Sequence, residues 1–195
     1  QTLYFVDIDA FKLQINGVSR CSIETRQFDE EIGCFSLCET GGFIAAFRSG
    51  VYQFADFNAP LTPYWSATYD QSTTRFNDGR CDPKGRFLAG TMYSPKDAFK
   101  GALHQFANGQ EKQLDQSAWT SNGLAFSPDG QTLASAHAGG SVILWDPTTG
   151  NTKTRLTEHK GDVHCVAFAP DGLFFATAGA DYTVRIWDRE TLRPL

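Results

Sequence analysis

The sequence predicts an all-β fold: a β-propeller of about five four-stranded blades, the first of which lacks its inner strand. Three observations carry this. Turn glycines recur at a near-constant interval, Gly42 closing CETGG, Gly85 closing CDPKG, Gly130 closing FSPDG and Gly172 closing FAPDG, with spacings of 43, 45 and 42 residues. A repeat of about 40–45 residues built from short apolar runs is the pattern of a propeller blade. Second, those runs are rich in aromatic and β-branched residues and are separated by NG, TGG, NDG, PDG and TTG, which supply the positive-φ and Asx chemistry of tight turns. Third, no stretch holds an i, i+3, i+4, i+7 apolar stripe over about 11 residues, so helix content is expected to be very low.

Taken in order, each repeat holds about four strands, A to D from the axis outwards. QTLYF at the start matches QTLAS after Gly130, so residue 1 falls just after a turn glycine and blade one opens at strand B with LYFVDI. Blade two begins near Ile32 and continues with GFIAAF and GVYQFADF. The stretch Asp56–Thr74, with two prolines and Trp65, reads as an outer strand plus a surface loop. Blade three begins near Arg75, with RFLAGTM and GALHQFANG, and blade four near Ser121, with TLASAHA and SVILWD. Blade five begins near Val163, and its tail WDRETLRPL supplies at most a short outer strand. Five blades lie within the range of about four to eight known for propellers.

The 195 residues are enough for one well-filled domain, residues 1–195, and 41% hydrophobic with 13% aromatic content supports a core. A net charge of −5 with mixed signs argues against a nucleic-acid face. No apolar run approaches the roughly 18 residues of a membrane span, and the chain opens directly on a strand-like run rather than a leader. A soluble protein is expected. Five cysteines without a CxxC pair read as free buried thiols in a reducing compartment, the localisation being otherwise open, and Cys34 and Cys38 as small core filler on one strand face.

Residues 1–126 resemble the six-bladed propellers of the gluconolactonase, regucalcin and luciferin-regenerating family, through LYFVDI, RFNDGRCDPKGRFLAGTM, GALHQF and SNGLAFSPDG. From residue 127, and clearly from Gln131 onward, the chain resembles WD repeats, through SVILWDPTTG and HKGDVHCVAFAPDGLFFATAGADYTVRIWD. That second resemblance implies a buried structural tetrad of His159, Thr177, Asp181 and Trp187, a network in which each buried donor meets an acceptor. Blade four offers only Ser135 and Trp145 of such a set. A switch inside one blade, within SPDGQTL, points to a deliberately recombined chimera rather than to two complete domains joined in nature.

The lactonase resemblance further implies a divalent metal at the axis, held by Glu, Asn and Asp from three inner strands, where it polarises a lactone carbonyl and activates water. Asn122 matches the Asn. The Glu position falls before Gln1, and the Asp position falls in WD-like sequence. Arg75 and Asn77 match the substrate-contacting RFN residues. Cys34, Asn77, Asn122 and His164 each stand eight residues before a turn glycine, so they are expected to ring the axial channel, His164 replacing the Asp. A Cys, a His and two Asn offer donors to a borderline metal such as zinc. No GxSxG elbow or phosphate loop occurs, and His104 and His137 read as isolated strand or surface residues.

With two of three metal ligands unaccounted for, the expectation is a non-catalytic, chimeric propeller scaffold, not an enzyme. No cofactor is expected beyond an adventitious calcium or zinc ion in the channel, and no nucleic-acid, membrane or defined protein partner. A residual metal-dependent lactone hydrolase is the alternative, and a WD-type interaction module the second. For five blades to close, each must widen to about 72°, and the open edge of blade one leaves a strand-exchanged homodimer as the alternative to a monomer.

Overall fold

The structure, a computed structural model, describes residues 2–17, 23–95, 97–98, 100–118 and 121–195. It is all-β among these, with eighteen strands in five antiparallel sheets. The first sheet has three strands, β1 (Thr2–Asp7), β2 (Lys12–Gly17) and β3 (Ile23–Gln27). The second has four: β4 (Ile32–Leu37), β5 (Phe43–Phe47), β6 (Gly50–Phe54) and β7 (Thr62–Ser66). The third holds β8 (Thr74–Cys81), β9 (Phe87–Tyr93), β10 (Gly101–Ala107) and β11 (Gln110–Ala118). The fourth holds β12 (Ser121–Phe126), β13 (Leu133–His137), β14 (Val142–Trp145) and β15 (Thr152–Leu156). The fifth has β16 (Val163–Phe168), β17 (Phe174–Gly179) and β18 (Val184–Asp188), and a Trp187–Pro194 bridge begins an outer strand. The blades therefore start where the glycine spacing places them, and the first lacks its inner strand. No helix among the described residues is long and apolar enough to cross a membrane.

Every strand order is sequential, so each blade is a meander whose connections are tight turns. Gly42 shows why glycine is needed there: its φ is +79°, and a methyl group would stand 2.5 Å from the Phe54 carbonyl oxygen. The inner strands β4, β8, β12 and β16 pack side by side around the axis, and β1 packs against β4. Four apolar clusters fill the four gaps between sheets. Phe28, Phe43, Phe47 and Phe54 join the first gap, and Phe76, Phe87 and Phe106 the second. Leu88, Leu103, Leu124 and Trp145 form the third. Val163, Phe175 and Trp187 anchor the fourth.

Among the described residues the first and fifth sheets make no more than glancing contact with each other. The widening to about 72° per blade that would close a ring of five is therefore not seen between these two sheets. Leu3 and Ile23 on the first sheet, and Val184 and Ile186 on the fifth, stay exposed. Cys165 is exposed as well, against the expectation of buried thiols, while Cys34 is buried and Cys38 and Cys81 are half-buried. Cys21 lies outside the described residues.

Two polar chains run through the last two sheets. In the fifth, Trp187 Nε1 donates to Thr177 Oγ1 (2.9 Å), Thr177 Oγ1 meets His159 Nε2 (2.8 Å), and His159 Nδ1 meets both oxygens of Asp181 (3.0 Å each). Asp181 also accepts from the Lys160 amide, the largest of several hydrogen bonds that hold its pKa well below the usual carboxylate range. In the fourth, Trp145 Nε1 donates to Ser135 Oγ (2.7 Å), which meets His137 Nε2 (2.6 Å). His137 is thus a buried network member and not an isolated residue. Its signal was the alternation Ser135-x-His137, which puts both side chains on one strand face.

His104 is buried too. Its ring lies among Trp65, Phe76 and Phe106, and Nδ1 meets Glu111 Oε1 at 2.7 Å. Burial lowers its pKa, and Glu111 opposes that.

Two outcomes follow from these networks. Thr177→Ala strands a buried indole N–H and an imidazole nitrogen together, so urea titration should show a loss of about 2–3 kcal/mol, with Thr177→Ser retaining most of the stability. Because the folded-state pKa of His104 lies below its unfolded value of about 6.5, its contribution is complete above that pH and declines as the pH falls through it toward the folded value. Melting temperatures measured from pH 8 to 5 should show this decline, and His104→Gln should flatten it.

Candidate functional site at the axis

Each inner strand carries one irregularity near its start. Pairing slips between Ile32 and Cys34 in β4, Phe76 and Asp78 in β8, Asn122 and Ala125 in β12, and Val163 and Cys165 in β16. A bulge of this kind re-aims the skipped side chain, which is why bulges gather beside functional sites. In β8 the skipped residue is Asn77; in β16 it is His164.

The bulges of β8 and β12 converge. Asn77 Nδ2 donates to Asn122 Oδ1 across the gap between the third and fourth sheets. Arg75 Nη1 donates to Asn77 Oδ1 at 3.0 Å and to the Phe76 carbonyl at 2.9 Å. Arg75 is half-buried; burial depresses its pKa, Glu31 opposes that, and the neighbouring Arg48 adds to it. Arg48 itself forms a two-pronged pair with Glu31, and these hydrogen bonds hold the Glu31 carboxyl below its ordinary range. The structure thus brings Arg75, Asn77 and Asn122 into one polar cluster.

Glycine makes this approach possible. Gly123 has φ +53°, and a methyl group on it would lie 2.8 Å from Cys165 Cα on β16. Gly33 faces the Phe76 carbonyl in the same way, at 2.4 Å.

Two candidates fall outside the cluster. Cys34 is buried between the second and third sheets, where a methyl on Gly79 would lie 2.6 Å from its Sγ, and burial pushes its thiol pKa well up. The bulged residue of β4 is Gly33, one place earlier than the glycine count implied, and a slip of one residue turns a side chain to the opposite face. His164 is exposed on β16. Cys34 therefore turns into the core and not toward Asn77 and Asn122, and among the described residues no three His, Cys, Asp or Glu side chains converge on a metal position.

The amide oxygens of Asn77 and Asn122 are hard donors of the type calcium prefers. They fit such a cation in kind, while its coordination shell takes about 6–8 oxygens, more than this cluster supplies.

Asp78 was missed by the sequence reading, although it directly follows Asn77 in RFND. One carboxylate oxygen accepts from the Gly79 amide (2.8 Å) and the other from the Leu124 amide on β12 (3.2 Å). A separate groove of about 520 Å³ lies between the second and third sheets, lined by Cys38, Cys81, Tyr64 and Phe106. It gathers no catalytic constellation.

Radially packed meander sheets with a guanidinium and two amides at their inner strands define a β-propeller with a polar axial site. The chain belongs to the SMP-30/gluconolactonase/LRE-like family, whose model matches residues 1–193. It is 43% identical over 131 residues to 6-deoxy-6-sulfogluconolactonase of Pseudomonas putida, covering 66% of this chain and 45% of that protein. It is 30% identical over 169 residues to regucalcin of Xenopus laevis, covering 82% and 56%. Among solved structures, a calcium-binding regucalcin of Agrobacterium tumefaciens superposes on the whole chain with a TM-score of 0.84 at 19% identity, covering 68% of that chain. A luciferin-regenerating enzyme does so with a TM-score of 0.82 at 18% identity, covering 70%. These two likenesses establish the fold, and the chain spans about half the length of the curated relatives it matches.

These findings overturn the expectation of a non-catalytic recombined scaffold. The family match runs through Gln131, Trp145 and Trp187, and a named relative is a lactonase. That expectation rested on metal-ligand positions with no match in residues 1–195, and this chain spans only about half the length of those relatives.

Gly123→Ala should cost about 2 kcal/mol or more in urea titration, because it combines positive φ with a backbone clash.

Proposed function

We propose that this chain forms the Arg75–Asn77–Asn122 side of a metal-dependent lactone hydrolase acting on sugar lactones. The observation that carries the reading is the hydrogen-bonded run from Arg75 through Asn77 to Asn122, which presents a cation and two amides together at the axis. In lactone hydrolysis, water adds to the carbonyl carbon and the ring C–O bond breaks to give a hydroxy acid. Arg75 and Asn77 suit the binding of hydroxyl or ring oxygens, since a half-buried guanidinium and an amide donate in fixed directions. The Asn122 oxygen is one ligand for a hard divalent cation; when bound, such a cation polarises the lactone carbonyl. Membership of the family and the name of the Pseudomonas putida relative support a lactone substrate, and a sulfonated gluconolactone is the first variant to compare with gluconolactone itself.

The test is continuous assay of acid release from glucono-1,5-lactone and its 6-sulfo analogue, with calcium, manganese or zinc added. Metal-stimulated hydrolysis is expected, with Asn122→Ala lowering kcat/KM at least about 100-fold and Arg75→Lys acting mainly on KM. Hydrolysis no faster than in buffer with every metal would reject the reading.

A further inference from the structure

We infer that Asp78 is a positioning residue that determines where Asn122 stands at the axis; the inference rests on the lactonase reading for its catalytic meaning. Pairing of β12 with β13 skips from Asn122 to Ala125, so the backbone of Gly123 and Leu124 is released from the regular ladder just beyond Asn122. Two neighbours confine that released segment. On one side β16 stands so close that Gly123 has no room for a side chain. On the other, Asp78 accepts the Leu124 N–H at 3.2 Å.

The opposite oxygen of Asp78 is engaged by its own strand, at the Gly79 amide, 2.8 Å away. One carboxylate therefore spans the bulge of β8, which releases Asn77, and the bulge of β12, which begins directly after Asn122; these two side chains meet between the strands. With both oxygens engaged by backbone amides, Asp78 acts through Asn122 rather than on a ligand. Its charge makes each hydrogen bond stronger than a neutral acceptor would.

Amide hydrogen exchange and side-chain amide resonances, measured by NMR on the 195-residue protein, test this without any ligand. Leu124 N–H exchange should rise about tenfold or more in Asp78→Ala, with Asp78→Asn falling between it and wild type. The Asn122 side-chain signals should shift in the same order. Manganese titration should show affinity falling about 10–100-fold in Asp78→Ala, the usual effect of removing an outer partner of a ligand. Should Asp78→Ala not fold, the wild-type and Asp78→Asn pair decides, a threefold or larger rise in Leu124 exchange being expected. Unchanged Leu124 exchange overturns the inference. So does a fraying Leu124 beside unmoved Asn122 signals, because Asp78 would then be a plain strut between sheets. If wild type neither binds manganese nor hydrolyses lactone, the lactonase reading fails, while the exchange series still decides the role of Asp78.

Discussion

Every inner sheet in this protein is apolar on both faces, and no sheet can bury both faces alone. That constraint underlies all else in the structure. β5 is buried along its whole length, with Ala45 and Phe47 facing the first gap and Ile44 and Ala46 the second. Removing such surface from water stabilises by about 25 cal/mol per Å², so the sheets stack in series rather than scatter. Stacking is radial because the inner ends of the sheets carry the small residues. Gly33 and Gly123 let neighbouring inner strands approach to backbone contact, and Gly79 leaves room for the Cys34 side chain, while Phe, Tyr and Trp fill the wider outer gaps.

The same crowding at the axis produces the site. Strands pressed this closely cannot keep a regular ladder throughout, and each of these four releases one or two residues at an irregularity near its start. What each bulge presents then decides the chemistry. β8 releases the Asn77 amide, β12 releases Gly123 and Leu124 directly after Asn122, β4 releases a glycine, and β16 an exposed imidazole. The polar cluster is consequently lopsided, centred on the third and fourth sheets. In the third gap Trp145 of the fourth sheet packs with Leu88 and Leu103 of the third. Hydrophobic burial is indifferent to which motif contributes a side chain, provided volume and face agree.

Much of the fold was legible because turns are local. A glycine at positive φ after PD or TG is dictated by a few neighbouring residues, so four blade starts could be placed by counting. The buried side of the last two blades was only partly legible. The His159–Thr177–Asp181–Trp187 set is spread over 29 residues of sequence, but its residue types match a pattern. His137 substitutes for a histidine expected elsewhere, and its role emerges only when β13 places it beside Ser135. Asp78 was illegible for a similar reason: its partner is a backbone amide 46 residues away, and backbone amides carry no sequence label.

The sequence by itself determined the strands, the turn positions, the number of sheets and the identity of Arg75, Asn77 and Asn122 as polar residues near inner-strand starts. Periodicity and turn chemistry act over a few residues, so composition suffices for them. Tertiary structure alone decided that Cys34 turns into the core, that His164 is exposed on β16, and that the first and fifth sheets are not packed on each other among the described residues. Each of these hangs on a one-residue slip at a bulge or on the angle between stacked sheets. Those quantities are set by the sum of contacts between distant segments, which no local pattern records.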